Sequence, residues 1–198
     1  MKKLARISAV VIIAGLLTGC FSPVQSPSQT KYFFDPDVVS MPSKHTKATL
    51  LVSKPAAAPG YATYHMAYID TPSELAYYTR NRWVAPPAEM LQPLLVDSIQ
   101  RSQHFGAIAK APFAGKTRYR LDTELVYIRQ NLTTMPHRLE LALRVSLVDS
   151  VTQQIMVSKT FERSQAVNKL EPYASVVVAN TVLAQMLSDV THFVVINT

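Results

Sequence analysis

Cysteine is almost absent from this chain. Cys20 is the only thiol in 198 residues, so no intramolecular disulfide can form. Glycine is scarce as well: Gly15, Gly19, Gly60, Gly106 and Gly115 are all there are. Walker loops and G-x-G-x-x-G turns use closely spaced glycines so that backbone N–H groups can close on phosphate. Neither motif can be built here, which excludes nucleotide binding of those kinds. The G-x-S-x-G elbow and the H-E-x-x-H pair are missing too. The five histidines, His45, His65, His104, His137 and His192, are scattered without zinc-ligand spacing. His104 and His192 fall near expected helix C-termini, where the helix dipole favours a cation. Asp122 and Glu124 share one face of an expected strand and could form paired carboxylates, but solvated strand faces routinely look the same. No catalytic residue, metal or cofactor is expected, and no enzyme.

Charge of one sign is also limited. The formal net charge is +7, and Lys2, Lys3 and Arg6 supply three of the 20 cations. The remainder is mildly basic and has no long basic block, so nucleic acid is not an expected partner.

The single cysteine stands in "VVIIAGLLTGCFSP", residues 10–23. A lone Cys can be a small buried hydrophobe or a reactive thiol in a cationic pocket. The third reading is a processed signal. The start is basic, Ile7 to Leu17 is apolar, and Leu17-Thr18-Gly19-Cys20 ends the run. That run is shorter than the ~20 residues of a membrane span and suits a signal-peptide core. The stretch closely resembles the bacterial lipobox. This implies cleavage before Cys20, a signal peptide over residues 1–19, and fatty chains (palmitate among them) on Cys20. Two or more chains hold a protein stably at a membrane. No other apolar run is expected to span. Phe21 stands where Asp would favour inner-membrane retention, so the outer membrane, periplasmic face, is expected.

Residues 20–30 form an acylated Cys and a flexible tether, with Pro, Ser and Gln in "FSPVQSPSQT". Ten such residues reach about 30 Å as polyproline and roughly 18 Å as a coil. Residues 31–198 form one domain.

Strands dominate that domain. Short ones are expected at 31–34 and 48–53, with a break at 55–60. Segments 63–69 and 74–80 flank Asp70-Thr71-Pro72-Ser73 and read as a hairpin. In 116–130, Tyr119, Leu121, Leu125 and Tyr127 share a face. In 137–149, Leu139, Leu141, Leu143, Val145 and Leu147 alternate with polar residues, so one face is buried. With 153–164 these make an antiparallel meander. A first helix is expected from Pro87 to His104, with Leu91, Leu94, Leu95, Ile99 and Phe105 near one face and Gly106 at its end. Pro93 either kinks it or marks a later start. A second is expected over 170–192. Asn168 and Glu171 have capping-box spacing, and Tyr173, Val176, Val177, Leu183, Leu187 and Val190 form its stripe. The fold class is α+β: a largely antiparallel or mixed sheet with two helices packed on it.

Residues 61–91 are unusually aromatic. Tyr61, Tyr64, Tyr68, Tyr77, Tyr78 and Trp83 crowd the hairpin, with Arg80 and Arg82 among them. Tyr, Trp and Arg are enriched at interfaces. They are also ordinary strand and core residues, and both readings stand. Tyr77 and Tyr78, being adjacent in a strand, should point to opposite faces.

With the lipobox and the Tyr-rich hairpin, "YYTRNRWVAPPAEMLQPLL" resembles the ABC-type transport auxiliary lipoprotein family, which includes the Pqi-type intermembrane transport lipoprotein. Tyr77, Tyr78, Arg82, Trp83, Pro86, Pro87, Met90 and Leu91 carry the likeness, and Pro93 departs from it. The resemblance implies that residues 31–198 are the family's domain. It implies a non-catalytic subunit that works with an MCE-domain protein and ABC transporter subunits in lipid transport between membranes. It also implies docking at the outer membrane and a homo-oligomeric ring. A stand-alone periplasmic lipid-binding lipoprotein is the alternative.

Overall fold

The computed structural model describes residues 28–39, 42–169 and 171–198. The signal, Cys20 and most of the tether lie outside the described residues. Eleven elements follow in order: β1 (Thr30–Tyr32), β2 (Thr49–Val52), β3 (Ala56–Ala57), β4 (His65–Ile69), β5 (Ala76–Trp83), α1 (Pro87–Arg101), β6 (Ala107–Lys110), β7 (Tyr119–Asn131), β8 (Arg138–Asp149), β9 (Gln154–Ala166) and α2 (Pro172–Ile196). The architecture is α+β, with a mixed sheet.

β7 is the spine of the sheet. One of its edges pairs antiparallel with β8, and β8 with β9, completing the expected meander. Three short strands share its other edge in parallel: β2 at Tyr119–Leu121, β3 at Glu124–Leu125 and β4 at Arg129–Asn131. β6 extends β2, while β5 and then β1 extend β4. The sheet therefore ends on β9 at one side and on β1, β6 and the two-residue β3 at the other. β3 forms inside the expected break at 55–60. β6 carries no strand pattern of its own; its backbone is recruited by β2.

The alternation in β8 holds as expected, with Leu139, Leu141, Leu143, Val145 and Leu147 all buried. In β7 it does not hold throughout. Leu121, Thr123 and Leu125 face the core, but the register shifts between Leu125 and Tyr127. A bulge inserts one residue and flips the following side chains. Ile128 and Gln130 take the buried face, and Tyr127 turns to the open one.

α1 ends at Arg101, not His104. The left-handed position after it is Gln103, φ 54°, so Gly106 is not its cap. Gly106 instead lies against the Lys47 backbone, where a Cβ would sit 3.0 Å from the Lys47 carbonyl oxygen. Pro93 stays inside the helix. It faces solvent, where the carbonyl left unpaired by its missing N–H can reach water.

α2 starts with Glu171 as N-cap and Pro172 behind it, without a side-chain cap bond, so the Asn168–Glu171 capping box does not form. Its buried face is Val176, Ala179, Leu183, Met186, Leu187, Val190 and Val194. Tyr173 and Val177, expected in the stripe, point outward. By length and composition α2 is apolar enough to cross a membrane, contrary to expectation. Its apolar face is spent on β8, β9 and α1 instead. The two helices touch through small polar residues: Ser98 and Thr191 hydroxyls lie 2.7 Å apart, and Ser98 also donates to the Leu187 carbonyl.

The segment after β1 runs along the outside of α2. The Asp35 N–H donates to Asn180 Oδ1, Phe34 and Val38 are buried, and Ser43 N–H donates to the Ser102 carbonyl. His104, which lies beyond α1, joins three segments. Its Nδ1 is 3.1 Å from Ser43 Oγ and its Nε2 is 3.1 Å from Thr198 Oγ1. His192 is inside α2 and exposed.

Candidate interaction surfaces

The hairpin forms where its turn chemistry placed it. β4 and β5 pair antiparallel, and Ser73 supplies the left-handed turn residue at φ 67°. Tyr77 and Tyr78 diverge as strand geometry requires. Tyr77 is 37% exposed, and its hydroxyl donates to the Gly60 carbonyl at 2.9 Å. Gly60 itself has φ +90°, and a Cβ there would meet Leu75 at 3.0 Å. Tyr78 turns inward, with its hydroxyl 2.5 Å from Gln130 Oε1 and its ring 4.8 Å from Tyr68. Burial first, then Tyr68, pushes the Tyr78 phenol above its ordinary range.

Trp83 is core. It is 3% exposed, and its ring centroid lies 4.8 Å from Phe34. Tyr78 and Trp83 are five residues apart and would face opposite sides of a regular strand. The β4–β5 register shifts between His65 and Ala67, which brings both to the helix side. Arg82 is half-buried, opposite His65 on one side and Lys31 on the other. Pro86 is the N-cap of α1; its carbonyl accepts from the Glu89 N–H, and Pro87 is buried at the first helical position. The Trp-Pro-Pro residues thus join hairpin to helix, while Tyr77 is the exposed member of the aromatic pair and Tyr78 is half-buried.

A small cavity lies between Met66, Tyr78, Trp83, Ile128, Leu139 and Ser175. At about 10 Å³ it holds one water at most. Gln130 Nε2 and Ser175 Oγ, without hydrogen-bond partners, lie in its wall. No apolar chain fits there.

Sequence reasoning missed the open face of the meander. Asp122 and Glu124 do not act as a carboxylate pair. Asp122 accepts from Arg120 and from Ser53 Oγ at 2.6 Å, and Glu124 accepts from Arg144 at 2.5 Å. Arg129 donates to Glu140 at 2.9 Å and stacks over Tyr127 at 4.7 Å. Burial and the Glu162 and Glu140 carboxylates raise the Tyr127 phenol. Asp149 closes the β8–β9 turn. Arg118 at 2.6 Å and the N–H groups of Thr152 and Val151 lower its carboxyl to about 2. The signal for this ladder was the alternation of opposite charges along β7 and β8, but it needs the register to be read. Among the described residues, no group of three His, Cys, Asp or Glu could hold a metal ion.

A mixed sheet with two helices packed on it, ion pairs across its open face and a Trp-Pro-Pro junction between hairpin and helix define the α+β domain. The chain belongs to the ABC-type transport auxiliary lipoprotein component family, whose model matches residues 32–191. No curated protein matches the chain. Among solved structures, protein XCC0632 from Xanthomonas campestris is similar, with a TM-score of 0.75 and 21% identity over 84% of this chain and 95% of that one. An uncharacterized protein matches with a TM-score of 0.64 and 15% identity, over 85% of this chain and 97% of that one. At such identities the likeness concerns the fold. A PelC dodecamer from Paraburkholderia phytofirmans is more distant, with a TM-score of 0.45 and 16% identity over 76% of this chain and 91% of that one.

Proposed function

We propose that this chain is a non-catalytic, lipid-anchored subunit of an ABC-type system that moves lipid between membranes. Residues 1–19 are its signal peptide, Cys20 carries the acyl chains, residues 20–30 are the tether and residues 31–198 are the working domain. It docks the periplasmic transport complex, including an MCE-domain protein, at the outer membrane. The observation that carries this reading is the Leu17-Thr18-Gly19-Cys20 signal ten residues ahead of a domain of the auxiliary family.

The closed interior supports docking over lipid carriage. Leu50, Leu95, Leu125, Leu143, Leu183 and Leu187 are all fully buried where a carrier would keep space for acyl chains. The working form is a homo-oligomeric ring. A ring requires a heterologous contact that closes by rotation, and the sheet has unlike edges, β9 at one end and β1 and β6 at the other. Tyr77, with Arg80 and Arg82 near it, joins that contact.

Purification of the acylated chain from detergent-solubilised membranes tests this. MCE and ABC subunits should co-purify in stable proportion. Recovery of extractable lipid without those subunits would replace the docking reading with a stand-alone lipid-binding protein.

A further inference from the structure

Two apolar residues in the first two turns of α2 have no place in the core. Tyr173 is 62% and Val177 49% exposed, although both belong to the more apolar of the two described helices. They lie one turn apart on one face. The Tyr32 ring stands 6.4 Å from Tyr173, which brings β1 to the same corner. Phe33 follows Tyr32 and is 59% exposed. The Val84 N–H donates to the Tyr32 carbonyl at 2.8 Å, which adds a fourth apolar side chain. Phe33, Val84, Tyr173 and Val177 therefore border one apolar corner at the β1 edge from its two sides: Tyr173 and Val177 on the helix side beside Tyr32, and Phe33 and Val84 on the other, because their neighbours Phe34 and Trp83 point inward. Cations flank it: Lys31 and Arg82 stand opposite each other across β1 and β5. Asp35 and Glu171 are exposed nearby, so the corner is not uniformly cationic.

The corner lies where the chain enters the domain. Cys20 is ten residues before Thr30, the first residue of β1. Ten residues span at most about 35 Å and as a coil roughly 18 Å. We infer that the corner formed by Phe33, Val84, Tyr173 and Val177 docks on the surface of the lipid bilayer that holds the Cys20 acyl chains. This rests on the anchoring proposed above. Aromatic side chains beside Lys and Arg suit the interfacial layer, where rings sit at headgroup depth and long cationic side chains reach the phosphates. The tether keeps the corner at high effective concentration near that surface, so weak insertion is enough. The consequence is a fixed orientation: β1 and the N-terminal end of α2 face lipid, and β9 faces away.

The chain's single cysteine makes the test direct. An acylated Cys20 has no free thiol, so Phe33→Cys, Tyr173→Cys and Thr160→Cys each offer one site for a polarity-sensitive fluorophore. Thr160 is exposed on β9, five strands from β1 across the sheet, or about 24 Å. The full acylated chains are placed in vesicles of phosphatidylethanolamine and phosphatidylglycerol. Probes at 33 and 173 should shift to the blue, and bromolipids should quench them several-fold more than the probe at 160. Equal, water-like emission at all three sites overturns the inference. So does a blue shift at 33 and 173 that rises with protein concentration and resists bromolipid, because a second copy then covers the corner. Val177→Cys repeats the test should either aromatic replacement lower the thermal midpoint. Labelling of the wild-type chain would show a free Cys20, and the anchoring reading fails instead.

Discussion

Tyr77 and Tyr78 are neighbours with opposite duties. Tyr78 closes a hydrogen bond over a buried amide, so Tyr78→Phe leaves Gln130 without its partner. The expected loss is about 1 to 3 kcal/mol, read from chemical denaturation. Tyr77→Glu should fold with little change in thermal midpoint and lose self-association, read as mass by light scattering beside wild type. An unchanged mass would remove Tyr77 from the contact. Trp83 belongs to the fold, packed on Phe34 with its ring out of solvent. Trp83→Ala should therefore cost about 3 to 5 kcal/mol, as large aromatic truncations do in cores. Loss of assembly with an unchanged midpoint would assign it to the interface instead.

At the scale of elements, the β8–β9 turn carries the clearest pH dependence. Asp149 has a native pKa near 2, below the ordinary carboxylate value. A depressed carboxylate contributes stability that is present above about pH 4 and is lost as pH falls toward 2. Asp149→Asn should thus be less stable than wild type at neutral pH, and the difference should shrink across that acid window in paired denaturation curves. A difference that stays constant with pH would show that Asp149 acts by its turn hydrogen bonds alone. The two bulges matter on the same scale. One turns Ile128 and Gln130 to the core; the other brings Tyr78 and Trp83 to the same side.

At the scale of the whole molecule, the proposed function turns on anchoring and assembly. Cys20→Ser should abolish fatty-acid labelling and leave the chain unprocessed. Normal labelling of that variant would defeat the lipobox reading. The soluble domain should self-associate as concentration rises from micromolar toward millimolar, and a domain that stays monomeric throughout would mean that assembly needs a partner.

Residue types and local periods determined much of this protein without help from tertiary contacts. Cys20 and its apolar leader mark the expected anchor because a processing signal is read as linear sequence. The β4–β5 hairpin, the alternating face of β8 and the existence of both helices follow from turn chemistry and from periods of two and 3.6. Only the tertiary structure decided which neighbours a strand could borrow. β3 and β6 exist because β7 and β2 offer them backbone partners, not because Ala56–Ala57 or Ala107–Lys110 favour extension. A bulge inverts every side chain after it, so the faces of Tyr127, Tyr78 and Trp83 depended on pairing register. The carboxylates of Asp122 and Glu124 shared a face in the sequence, but pairing with Arg120 and Arg144 turned them from a catalytic candidate into two ion pairs. Tyr173 and Val177 were apolar on paper and are exposed in space, because the sheet and α1 had already taken the other side of α2.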